Sequence, residues 1–231
     1  MGIVNLTDNS FLSSSRLGIA DIDAVLERVS AMLENGADII DVGACSTAPG
    51  NEPVSPETEW MRLSKVLPVL FEAFPSAEFS LDTFRAEIVS RSLEFGRKFI
   101  VNDVAAGSFN DDMLSIVRAN SLRYVAVDSS SSPYDFFGRF SCIADSLGIP
   151  DWILDPGFGF GKTIEQNWAI LNDLERFKCF GREILVALSR KRMIYVPLGL
   201  TPETCSERSI QAECLAVSKG ATIIRTHDVV R

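Results

Sequence analysis

The feature that most constrains the fold is an alternation of strand and helix signals along the whole chain. Eight short apolar runs are separated by segments in which apolar residues recur at helical spacing. The runs span residues 1–5, 38–42, 78–82, 99–103, 124–127, 152–154, 184–188 and 222–225. Strands that alternate with helices form parallel sheets with right-handed crossovers, so eight units favour an α/β protein with a closed (β/α)₈ barrel. Periodicity alone leaves an open doubly wound sheet as an alternative.

Local signals predict several helix boundaries. Residues 22–35 carry apolar side chains at helical spacing. Ser55 followed by proline is typical of a helix start, because proline at the first helical position loses no hydrogen bond. Residues 163–166 read Thr-Ile-Glu-Gln, which predicts a capping box. Thr201, also followed by proline, predicts a further helix that ends near Gly220.

Length, charge and cysteine usage limit the function. A chain of 231 residues fits one barrel domain, residues 1–231, because such barrels have about 250 residues. The net charge of −9 argues against general binding to nucleic acid or to anionic membranes. No apolar run approaches the roughly 20 residues of a membrane span. Five scattered cysteines without a Cys-x-x-Cys pair fit reduced thiols in a cytoplasmic protein better than disulfides or a zinc site.

Polar residues lie at or near the carboxyl ends of most apolar runs. They are Asn5, Asp41, Asp82, Asn102, Asp155 and Arg225, with Lys191 just beyond the seventh run. Barrel enzymes build their sites at this face from several strands. A single acid or amide after a strand is usually a turn former or a helix cap, an explanation that fits Asp41 and Asp103. Seven such positions together favour a barrel with a functional site.

Residues 155–163 read Asp-Pro-Gly-Phe-Gly-Phe-Gly-Lys-Thr, and alternate glycines let a backbone approach a ligand closely. The phosphate loop of nucleotide hydrolases is excluded, because only three residues separate Gly157 from Gly161. The dinucleotide fingerprint is excluded because it requires glycine at the position of Lys162. A plain glycine-rich turn before a helix is the alternative, but an acid at its mouth favours a ligand-binding loop.

Seven segments in order resemble the signatures of the dihydropteroate synthase family. They are Met-Gly-Ile-Val-Asn-Leu-Thr at 1–7, Asp-Val-Gly with Ser-Thr at 41–47, Ser-Leu-Asp-Thr at 80–83, Asn-Asp-Val at 102–104, the segment 155–162, Ser-Arg-Lys-Arg at 189–192 and Arg-Thr-His-Asp at 225–228. The resemblance covers almost the whole chain. The segment 155–162 combined with Ser-Arg-Lys is highly specific, whereas Asn-Asp-Val alone is shared by other pterin-binding barrels.

This resemblance implies a reaction of folate synthesis on a (β/α)₈ barrel that is commonly a homodimer. Dihydropterin pyrophosphate and p-aminobenzoate are joined to dihydropteroate, and pyrophosphate leaves. Mg²⁺ is the implied cofactor and helps to hold the leaving group. A pterin pyrophosphokinase, fused or separate, is a further candidate partner.

The resemblance also implies roles for individual residues. The pterin site comprises Asp82, Asn102, Asp155, Phe160, Lys191 and Arg225, in which the acids accept ring N–H groups. Pyrophosphate and p-aminobenzoate are assigned to Asn5, Thr47, Ser189, Arg225 and His227. Asn5 is the implied Mg²⁺ ligand. Lys191, Arg225 and His227 are the implied catalytic residues.

Some positions depart from the family pattern. Ala48 replaces an arginine, the loop after Thr7 is altered, and residues 128–133 read Asp-Ser-Ser-Ser-Ser-Pro where the family has His-Met-x-Gly-x-Pro. The final helix of the family has no counterpart within these 231 residues. Either loop and terminal segments are missing from these 231 residues, or the chain is a divergent relative with weakened catalysis.

Two other functions therefore accompany the synthase hypothesis. One is a pterin-dependent methyltransferase barrel that presents methyl-tetrahydrofolate to a corrinoid partner. The other is a non-catalytic pterin-binding paralogue, which Ala48 and the altered first loop favour. Lys191 and the pair Arg225 and His227 favour pyrophosphate chemistry and hence the synthase.

Overall fold

The computed structural model describes residues 1–6, 22–46, 52–108 and 112–230. Within them the strands are β1 Gly2–Asn5, β2 Ile39–Gly43, β3 Glu78–Asp82, β4 Ile100–Asp103, β5 Tyr124–Val127, β6 Trp152–Asp155, β7 Leu185–Val186 and β8 Ile223–Ile224. The helices are α1 Ile22–Glu34, α2 Pro56–Ala73, α3 Ala86–Leu93, α4 Asp112–Asn120, α5 Pro133–Leu147, α6 Ile164–Asn172, α7 Arg192–Tyr195 and α8 Ser206–Ser218. Each predicted strand is present.

The strands form a closed parallel barrel, as the sequence predicts. Strands β1 to β6 pair in chain order, and β7 pairs with β8. Parallel bridges join Leu154 to Ile184 at one seam and Gly2 to Thr226 at the other. The Ile3 N–H donates to the Thr226 carbonyl at 3.0 Å, so backbone bonds cross the second seam directly. The carboxyl ends of all the strands therefore face one side of the molecule.

Two buried apolar clusters lie on opposite faces of the barrel wall. The larger one packs between strands and helices and includes Val4, Val42 and Leu81. The smaller one consists of Met1, Ile39, Ile100, Val125, Val127, Ile153, Leu185, Ala187 and Ile223. The smaller cluster faces the barrel interior. Because side chains alternate between the two faces of a strand, the residue two positions after a member of the smaller cluster also faces the interior. Asp41, Asn102, Asp155 and Arg225 are such residues.

The helix predictions need one correction. The Thr201 signal does not open a helix: the Thr201 N–H bonds to the Thr204 hydroxyl at 3.0 Å, and α8 begins only at Ser206. This is a turn in which hydroxyls compete with helical backbone bonds. The other signals are confirmed, since Ser55 caps α2 and Thr163 with Gln166 forms a capping box at α6. The runs at 184–188 and 222–225 contribute only two residues each to regular strands.

Candidate active site

The carboxyl end of the barrel holds a buried cluster of charged and amide side chains. Arg225 directly follows β8 and binds two acids. Its Nε donates to Asp41 Oδ2 and its Nη2 to Asp82 Oδ2, each at 2.6 Å. Asn102 adds its Nδ2 at 3.3 Å from Asp41 Oδ2. Three of these four side chains belong to the successive strands β2, β3 and β4, whose ends register side by side. The closed barrel thus brings residues 184 positions apart into contact.

Asp82 is the member of this cluster best placed to meet a ligand. Its Oδ2 is bound to Arg225, but its Oδ1 is buried and has no hydrogen-bond partner among the described residues. Burial is the largest influence on its pKa, which rises to about 7 although Arg225 opposes the rise. Burial by itself would lower the pKa of Arg225, but Asp41 and Asp82 raise it instead, so the guanidinium is a permanent cation. A buried acceptor without a donor indicates a place for a polar ligand.

Asp155 ends β6 at the mouth of the glycine-rich loop. The Gly157 N–H donates to Asp155 Oδ1 at 2.8 Å, and burial raises the pKa of the carboxyl despite that bond. Gly157 has φ +67°, and a Cβ there would lie 1.7 Å from the Asp128 carbonyl oxygen. Only glycine fits this close approach of two backbones. Packing therefore requires glycine at position 157, and the Gly157 N–H in turn orients the Asp155 carboxylate.

Lys191 lies beside Phe160 and close enough to Asp155 for their charges to interact. The Lys191 Nζ stands 4.9 Å from the centroid of the Phe160 ring. Burial lowers the pKa of Lys191 to about 8, while the negative charge of Asp155 opposes the shift. A Cβ at Gly159 would lie 3.1 Å from Lys191 Cδ, so the glycine loop packs directly on the lysine stem. An acid, a cation and an aromatic ring thus share one wall of the site.

Ser189 and His227 meet between the ends of β7 and β8. The His227 Nδ1 is 3.0 Å from Ser189 Oγ, and the His227 backbone N–H donates to the same oxygen at 3.2 Å. Burial, and then the positive charges of Arg225 and Arg190, lower the pKa of His227 to about 3. The imidazole is therefore neutral near pH 7. It can donate or accept a hydrogen bond but contributes no positive charge.

The remaining predicted site residues differ in what the structure describes. Asn5 ends β1, in register with Gly43, whose added Cβ would lie 3.2 Å from that of Asp82, so Asn5 borders the cluster. Thr47 and Ala48 fall outside the described residues, as does the altered first loop. Among the described residues, no group of three His, Cys, Asp or Glu side chains is arranged to hold a metal ion.

Asp41 is the site residue that sequence reasoning undervalued. Its turn-former explanation fails, because its carboxylate is fully buried and binds Arg225 and Asn102. The same explanation is right for Asp103, which accepts the backbone N–H groups of Ala105 and Gly107 at 2.8 Å. The inner-face position two residues after Ile39 was the available signal for Asp41.

The cluster combines carboxylates, an amide, a lysine and an arginine at the carboxyl end of the barrel, a set suited to a flat ligand edged with donors and acceptors. Phe160 and the planar guanidinium of Arg225 add surfaces on which such a ring can stack. No helix within the described ranges is long and apolar enough to cross a membrane.

Comparisons with known proteins give this site its family. The model of the pterin binding enzyme family matches residues 1–137 and 135–227. The chain belongs to this family of pterin-binding barrels.

Within this family, the chain is similar to dihydropteroate synthases. The dihydropteroate synthase of Clostridium beijerinckii is 36% identical over an alignment of 242 positions, which covers 100% of this chain and 88% of the relative. A crystal structure of dihydropteroate synthase from Clostridium difficile, in the presence of pteroic acid, has a TM-score of 0.89 at 32% identity and covers 99% and 90% of the two chains. That of Xanthomonas albilineans with 4-aminobenzoic acid has a TM-score of 0.88 at 31% identity and covers 99% and 86%.

Proposed function

We propose that this protein is a dihydropteroate synthase, a transferase of folate biosynthesis. It condenses 6-hydroxymethyl-7,8-dihydropterin pyrophosphate with p-aminobenzoate to give dihydropteroate and pyrophosphate. The observation that carries the proposal is the Oδ1 of Asp82, which is buried beside Asn102 and has no hydrogen-bond partner in the described part of the chain, while Oδ2 of the same carboxylate binds Arg225. The full-length similarity to dihydropteroate synthases supports the same assignment.

The polar cluster has the chemistry to bind the pterin ring by its edge. We assign ring N–H groups to the carboxylates of Asp82 and Asp155, and the amide of Asn102 both donates and accepts. Lys191 donates to the carbonyl and nitrogen edge. Charge-assisted hydrogen bonds in a buried pocket are about twice as strong as neutral ones, so they orient the ring firmly.

We assign a dissociative mechanism to the transfer. The C–O bond to pyrophosphate breaks as the electron-rich dihydropterin stabilises positive charge on its exocyclic methylene. The neutral arylamine of p-aminobenzoate then forms the new C–N bond and releases a proton to solvent. The protein positions the two reactants and stabilises the departing anion, and no covalent nucleophile is needed.

Arg225 and His227 have suitable chemistry for the departing pyrophosphate. Arg225 keeps its positive charge, and we propose that it remains bound to Asp41 and to Asp82 Oδ2 while pterin occupies Asp82 Oδ1. His227 is neutral, so its role is a hydrogen bond from Nε2–H, with Nδ1 accepting from the Ser189 hydroxyl. Ser189 and Thr47 remain candidates for contacts to the second substrate and the anion.

We propose Mg²⁺ as the cofactor, with Asn5 as its protein ligand. Mg²⁺ commonly keeps several waters and binds through one or two protein oxygens plus substrate phosphates. A single amide oxygen at the end of β1, without a cluster of acids in the described part of the chain, suits that pattern. When bound, the ion would neutralise pyrophosphate charge. An Asn5→Ala variant is expected to need more Mg²⁺ for half-maximal activity.

We further propose a homodimer in the cytoplasm. Exposed large apolar side chains concentrate on α8 and on the turn after α7, namely Val196, Leu198, Leu215 and Val217. Exposed apolar patches often mark protein interfaces, and we propose that these four side chains contribute to one. All five cysteines are free, as expected for a reducing compartment. Sedimentation of wild type and Leu198→Asp would test the dimer.

A pterin pyrophosphokinase is proposed as a functional partner, because the first substrate is itself a pyrophosphate ester that an upstream transfer must supply.

One coupled assay tests the proposed function. Pyrophosphate release is measured with and without p-aminobenzoate, on wild type and on Asp155→Asn. The proposal expects release that depends on p-aminobenzoate, matched by dihydropteroate, and at least about a hundredfold loss in the variant. Pterin binding without turnover would instead indicate the non-catalytic paralogue. Methyl transfer to a corrinoid without pyrophosphate release would indicate the methyltransferase.

A further inference from the structure

One cation near the site plays no part in the proposed binding of substrates. Lys162 ends the glycine-rich loop, yet its side chain is completely inaccessible to solvent, as is that of its partner Asp128. Its Nζ donates to the carbonyl oxygens of Asp128 at 2.9 Å, Gly157 at 3.1 Å and Phe160 at 3.2 Å, and lies 3.2 Å from Asp128 Oδ2. Burying a lysine ammonium costs free energy, and the four oxygen partners of Lys162 offset that cost.

These contacts join two loops that are separate in the chain. Gly157 and Phe160 lie in the glycine loop after β6, whereas Asp128 begins the connection from β5 to α5. The backbones touch along this line, because an added Cβ at Gly161 would lie 2.6 Å from the Ser129 carbonyl oxygen. The ammonium neutralises carbonyl dipoles that would otherwise face one another across this junction.

The same loop carries the groups assigned to pterin. The Gly157 N–H orients Asp155, and the Phe160 ring packs on Lys191. A displacement of the loop therefore moves an acid, a ring and a lysine together.

Resting on the proposed function, we propose that Lys162, paired with Asp128, is a positioning residue of the pterin site that locks the glycine loop in its binding geometry.

The test is direct pterin binding, which does not require turnover. Calorimetric titration with 6-hydroxymethylpterin is run on wild type and Lys162→Met, at a temperature where near-ultraviolet circular dichroism shows both to be folded. We expect the Kd of Lys162→Met to rise by about 10- to 100-fold, since small misplacements of binding groups have effects of that order. The KM for p-aminobenzoate should change much less than kcat/KM for the pterin substrate.

Arg97 offers a matched control at the opposite end of the barrel. Its guanidinium also holds a turn through backbone carbonyls, donating to Phe71 at 3.0 Å, Phe74 at 3.1 Å and Pro75 at 3.0 Å. Arg97→Met should lower the Tm yet keep the pterin Kd within about twofold of wild type, because that turn precedes β3 at the end of the strand opposite Asp82.

A second variant keeps the proposal testable if Lys162→Met does not fold. Asp128→Asn retains the three carbonyl contacts and should raise the Kd only a few-fold. The double variant should resemble Lys162→Met rather than show the product of both effects, because both residues act through one contact. A lower Tm with an unchanged pterin Kd in Lys162→Met, or in Asp128→Asn where only that variant folds, would overturn the inference. Failure of wild type to bind pterin would overturn the proposed function instead.

Discussion

The two ends of the barrel differ in how deeply their paired charged side chains are buried. At the amino end, Arg123 bridges Glu78 and Asp151, at 3.0 Å and 3.4 Å, and also pairs with Glu183. These acids are about half exposed. At the carboxyl end the acids that pair with Arg225 are nearly or completely buried, and Asp82 Oδ1 has no hydrogen-bond partner within the described ranges.

This difference separates a stabilising surface from a functional one. Exposed ion pairs exchange contacts with water at little net gain, so the amino end contributes modestly to folding. Buried charges cost free energy unless fully paired, so the incompletely paired cluster at the carboxyl end is the candidate for ligand binding. Strand β3 shows both cases, since it begins with Glu78 and ends with Asp82.

The strongest test of this contrast replaces the two ends of β3. Asp82→Asn should lower kcat/KM for the pterin substrate by about 100-fold or more, since it removes charge-assisted bonds worth about 1.5–3 kcal/mol each and leaves Arg225 short of a partner. Glu78→Gln should leave kcat/KM unchanged. Steady-state kinetics on both variants would decide, and equal losses would contradict the contrast.

A second comparison concerns the two bridging arginines. Arg225→Lys should lower kcat/KM by about 10- to 50-fold, because an ammonium cannot span Asp41 and Asp82 with a planar fork. Arg123→Lys at the other end should have no kinetic effect. If lysine serves equally well at position 225, the fork geometry has no role in the site.

The carboxyl end should also impose a narrow pH optimum. Asp82 must be ionised to accept from pterin, and its pKa of about 7 means that kcat/KM rises as pH rises through 7. Lys191 must be protonated to donate, and its pKa of about 8 means that kcat/KM falls as pH rises through 8. A pH–rate profile with limbs near these values is expected. Lys191→Arg should lose the alkaline limb, whereas a profile flat from pH 5.5 to 9 would refute both assignments.

The smallest expected effect lies at the amino end. Arg123→Gln should reduce the free energy of unfolding by about 1 kcal/mol or less, a Tm decrease of about 2–4 °C. Substrate KM values should not change. Thermal melts at low and high salt would show whether the loss shrinks with screening, as surface ion pairs require.

Much of the fold could be predicted from the sequence, because apolar runs encode strands and their alternation with helices, with polar residues at the strand ends, favours a barrel. Site residues at strand ends, such as Asn102 and Asp155, followed from the same reasoning. The partners did not: the bond from Arg225 to Asp41 depends on closure of the barrel across 184 residues. Lys162 belonged to a visible motif, but its burial depends on Asp128, which the sequence marked only as a departure from the family pattern.

The most direct test of the central claim is a crystal structure with bound dihydropterin pyrophosphate. We predict the ring edge within hydrogen-bond distance of Asp82 Oδ1, Asn102, Asp155 and Lys191, and the pyrophosphate beside Arg225 and His227. A pterin bound elsewhere, with Asp82 Oδ1 still unpartnered, would contradict the account.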